Sequence, residues 1–104
     1  MIEIKDGEFV DKVEQAAKPV LVDFSAVWCP PCARLKPTVE RISQEFSDKL
    51  EVFGVDVDHC PELSTRFNIV SVPTMIFFRG GKEVKKIIGL RDYDSLKKEV
   101  EALV

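Results

Sequence analysis

The sequence predicts an α/β fold in which a central mixed five-stranded β-sheet is flanked by four helices, with helices on both faces. Three observations carry that expectation. Short apolar runs, VLVDFSAV above all, lack the strict alternation of a strand with one wet face, so they read as strands covered on both sides. Between them apolar residues recur at spacings of three and four, as on a helix with one buried face. Late in the chain two apolar segments flank Arg79-Gly80-Gly81-Lys82, a hairpin signal that makes one pair of strands antiparallel.

The elements follow in the order β-α-β-α-β-α-β-β-α. A short apolar start at Ile2 and Ile4 precedes Asp6, which caps a helix carrying Phe9, Val13 and Ala16–Ala17 and ended by Pro19. VLVDFSAV is the buried strand, bounded by Pro19 and the Cys-Pro-Pro turn. From Cys32 the pattern is helical through Leu35, Val39, Ile42 and Phe46, with Pro37 as a plain kink. LEVFGVDVD is the next strand and PELSTRFNI a short helix. TMIFF and EVKKIIG form the hairpin, and DYDSLKKEVEALV closes the chain as an amphipathic helix capped by Asp92. Consecutive parallel strands need crossovers, so the early part of the sheet is parallel and the hairpin adds its antiparallel strands. No linker, repeat or low-complexity segment divides residues 1–104, which read as a single domain.

Composition narrows the function classes. A chain of 104 residues can bury roughly 60–70% of its unfolded surface in one core. A net charge of −3 with interspersed lysines and acids gives no basic patch for nucleic acid. The longest apolar stretches, such as Pro19–Val22 and Met75–Phe78, are too short to span a membrane. The polar start MIEIKDGEFVDKVEQ has no secretory h-region, which points to a cytoplasmic protein. In a reducing compartment closely spaced cysteines are more often catalytic or metal-binding than structural.

Cys29 and Cys32 stand three apart in SAVWCPPCARLKP. Four readings compete: a structural disulfide, half of a metal site, two inert buried thiols, or a dithiol made and broken in use. Cys29 lies where a buried strand ends and a helix begins, and Cys32 lies one turn in. Side chains three apart on a helix have Cβ atoms about 5–6 Å apart, against about 3.5–4.5 Å in a disulfide, so a small adjustment closes the bond. A cap position also offers unpaired N–H groups and the helix dipole, which favour a thiolate. An exposed activated thiol backed by a buried one suits thiol–disulfide exchange. A zinc site of Cys29, Cys32, Cys60 and His59 is disfavoured by the long gap between its halves and by the adjacency of His59 and Cys60, so no metal and no cofactor are expected. Cys60 reads as a spare thiol and His59 as a surface residue. Lys85-Lys86 and Lys97-Lys98 read as solvated faces.

Asp23 interrupts a strand that is otherwise apolar. An unpaired buried carboxylate is costly, so burial should raise its pKa and leave it partly protonated near neutrality. That suits a group that takes the proton of Cys32.

VDFSAVWCPPCARLKP, the later SVPT and the IIG after the hairpin resemble the thioredoxin family over the whole chain. The resemblance implies the thioredoxin fold and a protein-disulfide reductase, with Cys29 as attacking and Cys32 as resolving cysteine, and Asp23 as proton acceptor and donor. It implies a cis-proline at Pro73 facing the pair. It also implies a substrate groove of Trp28, Pro30, Pro31, Val72, Pro73, Ile88 and Gly89. Disulfide-containing client proteins and a thioredoxin reductase are the partners expected, and the protein is expected to be a monomer. Two features depart from the family pattern. Pro30-Pro31 replaces the usual Gly-Pro, as in membrane-tethered thioredoxin-like reductases, which normally carry an anchor or signal and an insertion for which this chain has no room. Gly54 stands where many thioredoxins carry a buried lysine, so Asp23 loses a candidate cation partner. A disulfide oxidase or isomerase, or a non-enzymatic assembly subunit, remain as other classes.

Overall fold

A computed structural model describes residues Met1–Val104. Its strands are β1 (Ile2–Glu3), β2 (Val20–Ser25), β3 (Glu51–Asp56), β4 (Thr74–Arg79) and β5 (Lys82–Ile88). Its α-helices are α1 (Pro30–Glu45), α2 (Pro61–Arg66) and α3 (Tyr93–Leu103). They form one sheet in the order β1-β3-β2-β4-β5. β3 runs parallel to β1 and β2, and β4 is antiparallel to β2 and β5. This is the mixed sheet of the thioredoxin fold. Gly80 and Gly81 turn the hairpin with φ of 60° and 79°, both in the region that suits a tight two-residue loop.

The apolar run of β2 is explained by a core on each face. Val20, Val22 and Phe24 point to one side, where Phe9, Val13, Leu63, Phe67 and Phe78 pack. Phe67 stacks at 5.2 Å from both Phe9 and Phe78. Leu21 points to the other side, under Leu35, Val39 and Ile42 of α1 and Leu96 and Val100 of α3. Asp23 alternates onto this second side. The row across the sheet there is Glu3, Gly54, Asp23, Met75 and Ile87. No helix is long and apolar enough to cross a membrane.

The first helical element differs in kind from its expectation. Asp6–Glu8 is a 3-10 turn capped by Lys5, and Val10–Glu14 is π-helical, with Gln15 N–H bonded to Val10 C=O at 2.9 Å. Asp6 does cap a helix, but a different one. Its Oδ1 accepts the Leu63 N–H at 3.0 Å and its Oδ2 the Glu62 N–H at 3.3 Å, so it serves α2 from outside. The cause is the turn at Cys60-Pro61, where the N-cap cysteine makes no side-chain cap. Asp92 caps α3 as its sequence position suggests, accepting the Ser95 N–H at 2.8 Å. Two of the lysines read as solvated are engaged: Lys85 pairs with Glu99 at 2.5 Å and Lys86 donates to the Phe67 carbonyl at 2.7 Å.

Candidate functional site

β2 is the central strand, and its C-terminal end delivers the chain to the Cys-Pro-Pro-Cys turn. Cys29 is the N-cap of α1, in extended backbone, with Pro30 and Pro31 in the first helical positions. Proline fits there because the first N–H groups of a helix have no intrahelical partner. Pro31 removes the donor that a cap would ordinarily take first, so the Cys32 N–H serves Cys29 Sγ, at 3.2 Å. The two cysteines form a disulfide with Cα atoms 5.2 Å apart. Burial does not separate them as their positions suggested: Cys29 is 4% and Cys32 5% exposed. Their surroundings separate them instead. Cys29 Sγ lies 3.7 Å from the Val72 carbonyl oxygen, while Cys32 lines a cavity beneath the turn.

The residues expected to form a groove lie at the start of β4 and the end of β5, with Val72 against Cys29. The Val72–Pro73 peptide is cis. Thr74 Oγ1 donates to the Ser71 carbonyl at 2.8 Å and so fixes the turn that carries it. Gly89 N–H donates to the Pro73 carbonyl at 2.9 Å, which places Ile88–Gly89 beside the proline. Trp28 is 66% and Ile88 54% exposed, a large apolar surface around a redox pair. Trp28 is not held by apolar packing alone: its Nε1–H donates to Asp58 Oδ2 at 2.8 Å.

The cavity measures about 250 Å³ and is lined by Asp23, Cys32, Lys36, Gly54 and Asp56 among others. Asp23 is 2% exposed, and its Oδ1 has no hydrogen-bond partner. Burial pushes its pKa from 3.8 up to about 6, against an opposing pull from the Lys36 charge. Gly54 leaves the space, since it is the direct neighbour of Asp23 on β3 and carries no side chain. A cation nonetheless lines the space, from α1 rather than β3.

Three residues at the site escaped the sequence reading. Asp58 anchors Trp28, and the acidic string Asp56-Val57-Asp58 at the end of β3 is the signal that could have found it. Lys36 lies four residues after Cys32, on the same helical face, and that spacing could have found it. Val70, 82% exposed next to the proline turn, gave no signal. The residues weighed as zinc ligands are apart: Cys60 is in the core on the opposite sheet face, its thiol donating to the Ile4 carbonyl at 3.5 Å. His59 lies in solvent, with Nδ1 3.1 Å from Asp56.

The Thioredoxin family model matches residues 1–102. The chain is 41% identical over 103 residues to a thioredoxin of Mycobacterium bovis, covering 99% of this chain and 89% of that one. It is 39% identical to a thioredoxin of Alicyclobacillus acidocaldarius, covering 93% and 91%. A bifunctional thioredoxin reductase/thioredoxin of Mycobacterium leprae is 43% identical across 99% of this chain, which spans only 22% of that protein.

Proposed function

The chain belongs to the thioredoxin family and is a protein-disulfide reductase, and from that premise we propose that Cys29 attacks, Cys32 resolves and Asp23 manages the proton. The Cys32 N–H directed at Cys29 Sγ carries this assignment, because a donor aimed at the sulfur favours its thiolate. The Cys29 thiolate attacks a client disulfide, forming a mixed disulfide and releasing one client sulfur as thiolate. Cys32 gives its proton to Asp23 and attacks Cys29 Sγ. The second client sulfur leaves with the bonding electrons, and the Cys29–Cys32 disulfide remains for two-electron reduction. Asp23 suits the step because its carboxyl titrates at about 6, near the working range of a general base at neutral pH.

The client strand lies in the groove of Trp28, Pro30, Pro31, Val72, Pro73, Ile88 and Gly89. Val72 belongs to no strand and its N–H makes no backbone hydrogen bond, so that N–H is free to bond an extended peptide beside Cys29. Electrons come from a thioredoxin reductase; the relative in which both activities share a name supports that source. A single domain over residues 1–104 fits the one continuous sheet, and a carrier that meets its reductase and its clients in the cytoplasm fits the net charge of −3 and the lack of a helix long and apolar enough to cross a membrane.

The test is insulin reduction coupled to a thioredoxin reductase. Cys29→Ser should abolish turnover and trap nothing. Cys32→Ser should accumulate a mixed disulfide with the client. A mixed disulfide that forms through Cys32 in the Cys29→Ser protein reverses the assignment.

A further inference from the structure

Asp23 poses a problem that its own strand does not solve. A buried carboxylate without a hydrogen bond favours its protonated form. A protonated Asp23 cannot accept a proton from Cys32. Something near it must favour the anion.

The cavity supplies the candidates. Gly54, beside Asp23 on β3, carries no side chain into the cavity that both line; a Cβ there would stand 3.4 Å from Glu3 Cγ and 3.6 Å from Met1 Sδ. Ionisable groups line that space from every element around it: Glu3 from β1, Cys32 and Lys36 from α1, Asp56 from β3, and Met1 ahead of β1. The Met1 ammonium is held by both carboxylate oxygens of Glu40, at 2.9 Å each. Asp56 accepts the Asp58 N–H at 3.0 Å and lies 3.1 Å from His59. Glu3 and Asp56, as anions, act against ionisation of Asp23. Lys36 is the one positive side chain on the lining, it stands one turn beyond Cys32, and it forms no ion pair.

We propose that Lys36 is a positioning residue for thiol exchange: across the cavity it holds Asp23 as a carboxylate, so that Asp23 can take the Cys32 proton. The inference rests on the reading of Asp23 as proton acceptor. In that step the Cys32 S–H bond breaks, the proton goes to the Asp23 carboxylate, and the sulfur lone pair forms the bond to Cys29 Sγ as the client thiolate departs. Lys36 changes no bond; its charge offsets the cost of the buried anion. The direction of its effect on Asp23, opposite to that of burial, agrees.

Lys36 is exposed, so its replacement leaves the core intact. Lys36→Met keeps the aliphatic stem and removes the charge, and Lys36→Arg keeps the charge. The Asp23 carboxyl carbon is titrated by NMR in the full chain, beside the pH profile of mixed-disulfide resolution in single turnover. The Asp23 midpoint should rise by roughly half a unit or more in Lys36→Met and stay in place in Lys36→Arg. The acid limb of the resolution profile should move with it. Raising salt from about 0.01 to about 1 M shortens the screening length from ~30 to ~3 Å and should raise the midpoint of the unsubstituted protein; in Lys36→Met, where only the Glu3 and Asp56 anions are left to screen, it should not rise. An unmoved midpoint in Lys36→Met overturns the proposal. A midpoint that moves while resolution does not instead overturns the reading of Asp23 on which it rests, and the proposal with it.

Discussion

Two helices of this protein begin with the same dipeptide, and their cysteines have opposite fates. Cys29-Pro30 opens α1 and Cys60-Pro61 opens α2, each with the cysteine as N-cap. At α1, Pro31 deletes one donor and the Cys32 N–H turns to Cys29 Sγ at 3.2 Å. At α2 both N–H groups that could reach the sulfur are taken by the Asp6 carboxylate. Cys60, 1% exposed, donates a hydrogen bond to the Ile4 carbonyl instead, and burial, with the Asp6 charge beside it, pushes its pKa up. A helix start can therefore favour a thiolate only where its donors are not already committed. The carboxylates differ in parallel: Asp6 is fully used in capping, and Asp23, beside Cys32, has a bare Oδ1.

The largest expected contrast is in reactivity. With the reduced protein at neutral pH, iodoacetamide should modify Cys29 faster than Cys60 by about two orders of magnitude or more, because reaction at Cys60 waits for local unfolding. Comparable rates, read by peptide mass spectrometry, would break the comparison at its root.

Next in size is the bare carboxylate. The folded oxidised protein binds the Asp23 proton more tightly than the unfolded chain, with a pKa of about 6 against 3.8. Its contribution to stability is full below pH ~3.8, is lost as pH rises through about 6, and is constant above that. Asp23→Asn should accordingly be more stable than the unsubstituted protein by about 2–3 kcal/mol above pH 7, with the difference shrinking towards pH 4. Urea melts of both proteins at several pH values measure it. A difference that does not vary with pH would mean that Asp23 titrates normally.

Asp6 sharpens the other side. Asp6→Ala removes the shared cap of α2 and should cost about 1 kcal/mol, up to ~2. It should also speed alkylation of Cys60 while insulin reduction is unchanged. Unaltered stability in a denaturant melt would show that water replaces the carboxylate without loss.

The smallest effect belongs to Pro30. The N–H that it lacks is at the first helical position, which a cap does not use, so Pro30→Gly should leave the thiolate titration of Cys29 within about half a unit. Stability should fall by about 0.4–1 kcal/mol through greater freedom of the unfolded chain. A thiolate midpoint lowered by a full unit, followed by absorbance, would show that the restored N–H reaches the sulfur.

Much of this was legible without coordinates, because it depends on local periodicity and on steric rules of the backbone. The unbroken apolar run of β2 implied cover on both faces, the glycine pair implied the hairpin, and two prolines at the start of α1 left the Cys32 N–H as the donor to Cys29. What sequence could not decide is which distant groups meet. Asp6 looked like the cap of its own segment and serves a helix 56 residues away, because Cys60 leaves that helix uncapped. Asp58 reaches Trp28 across 30 residues. Gly54 read as the loss of a cation near Asp23, yet the space it vacates is lined by Lys36 from the other side. Propensity and pattern act over one or two turns of chain, so they determine elements and faces. Capping partners, cavities and charge pairs depend on the packing of elements against one another, and only the tertiary structure fixed those.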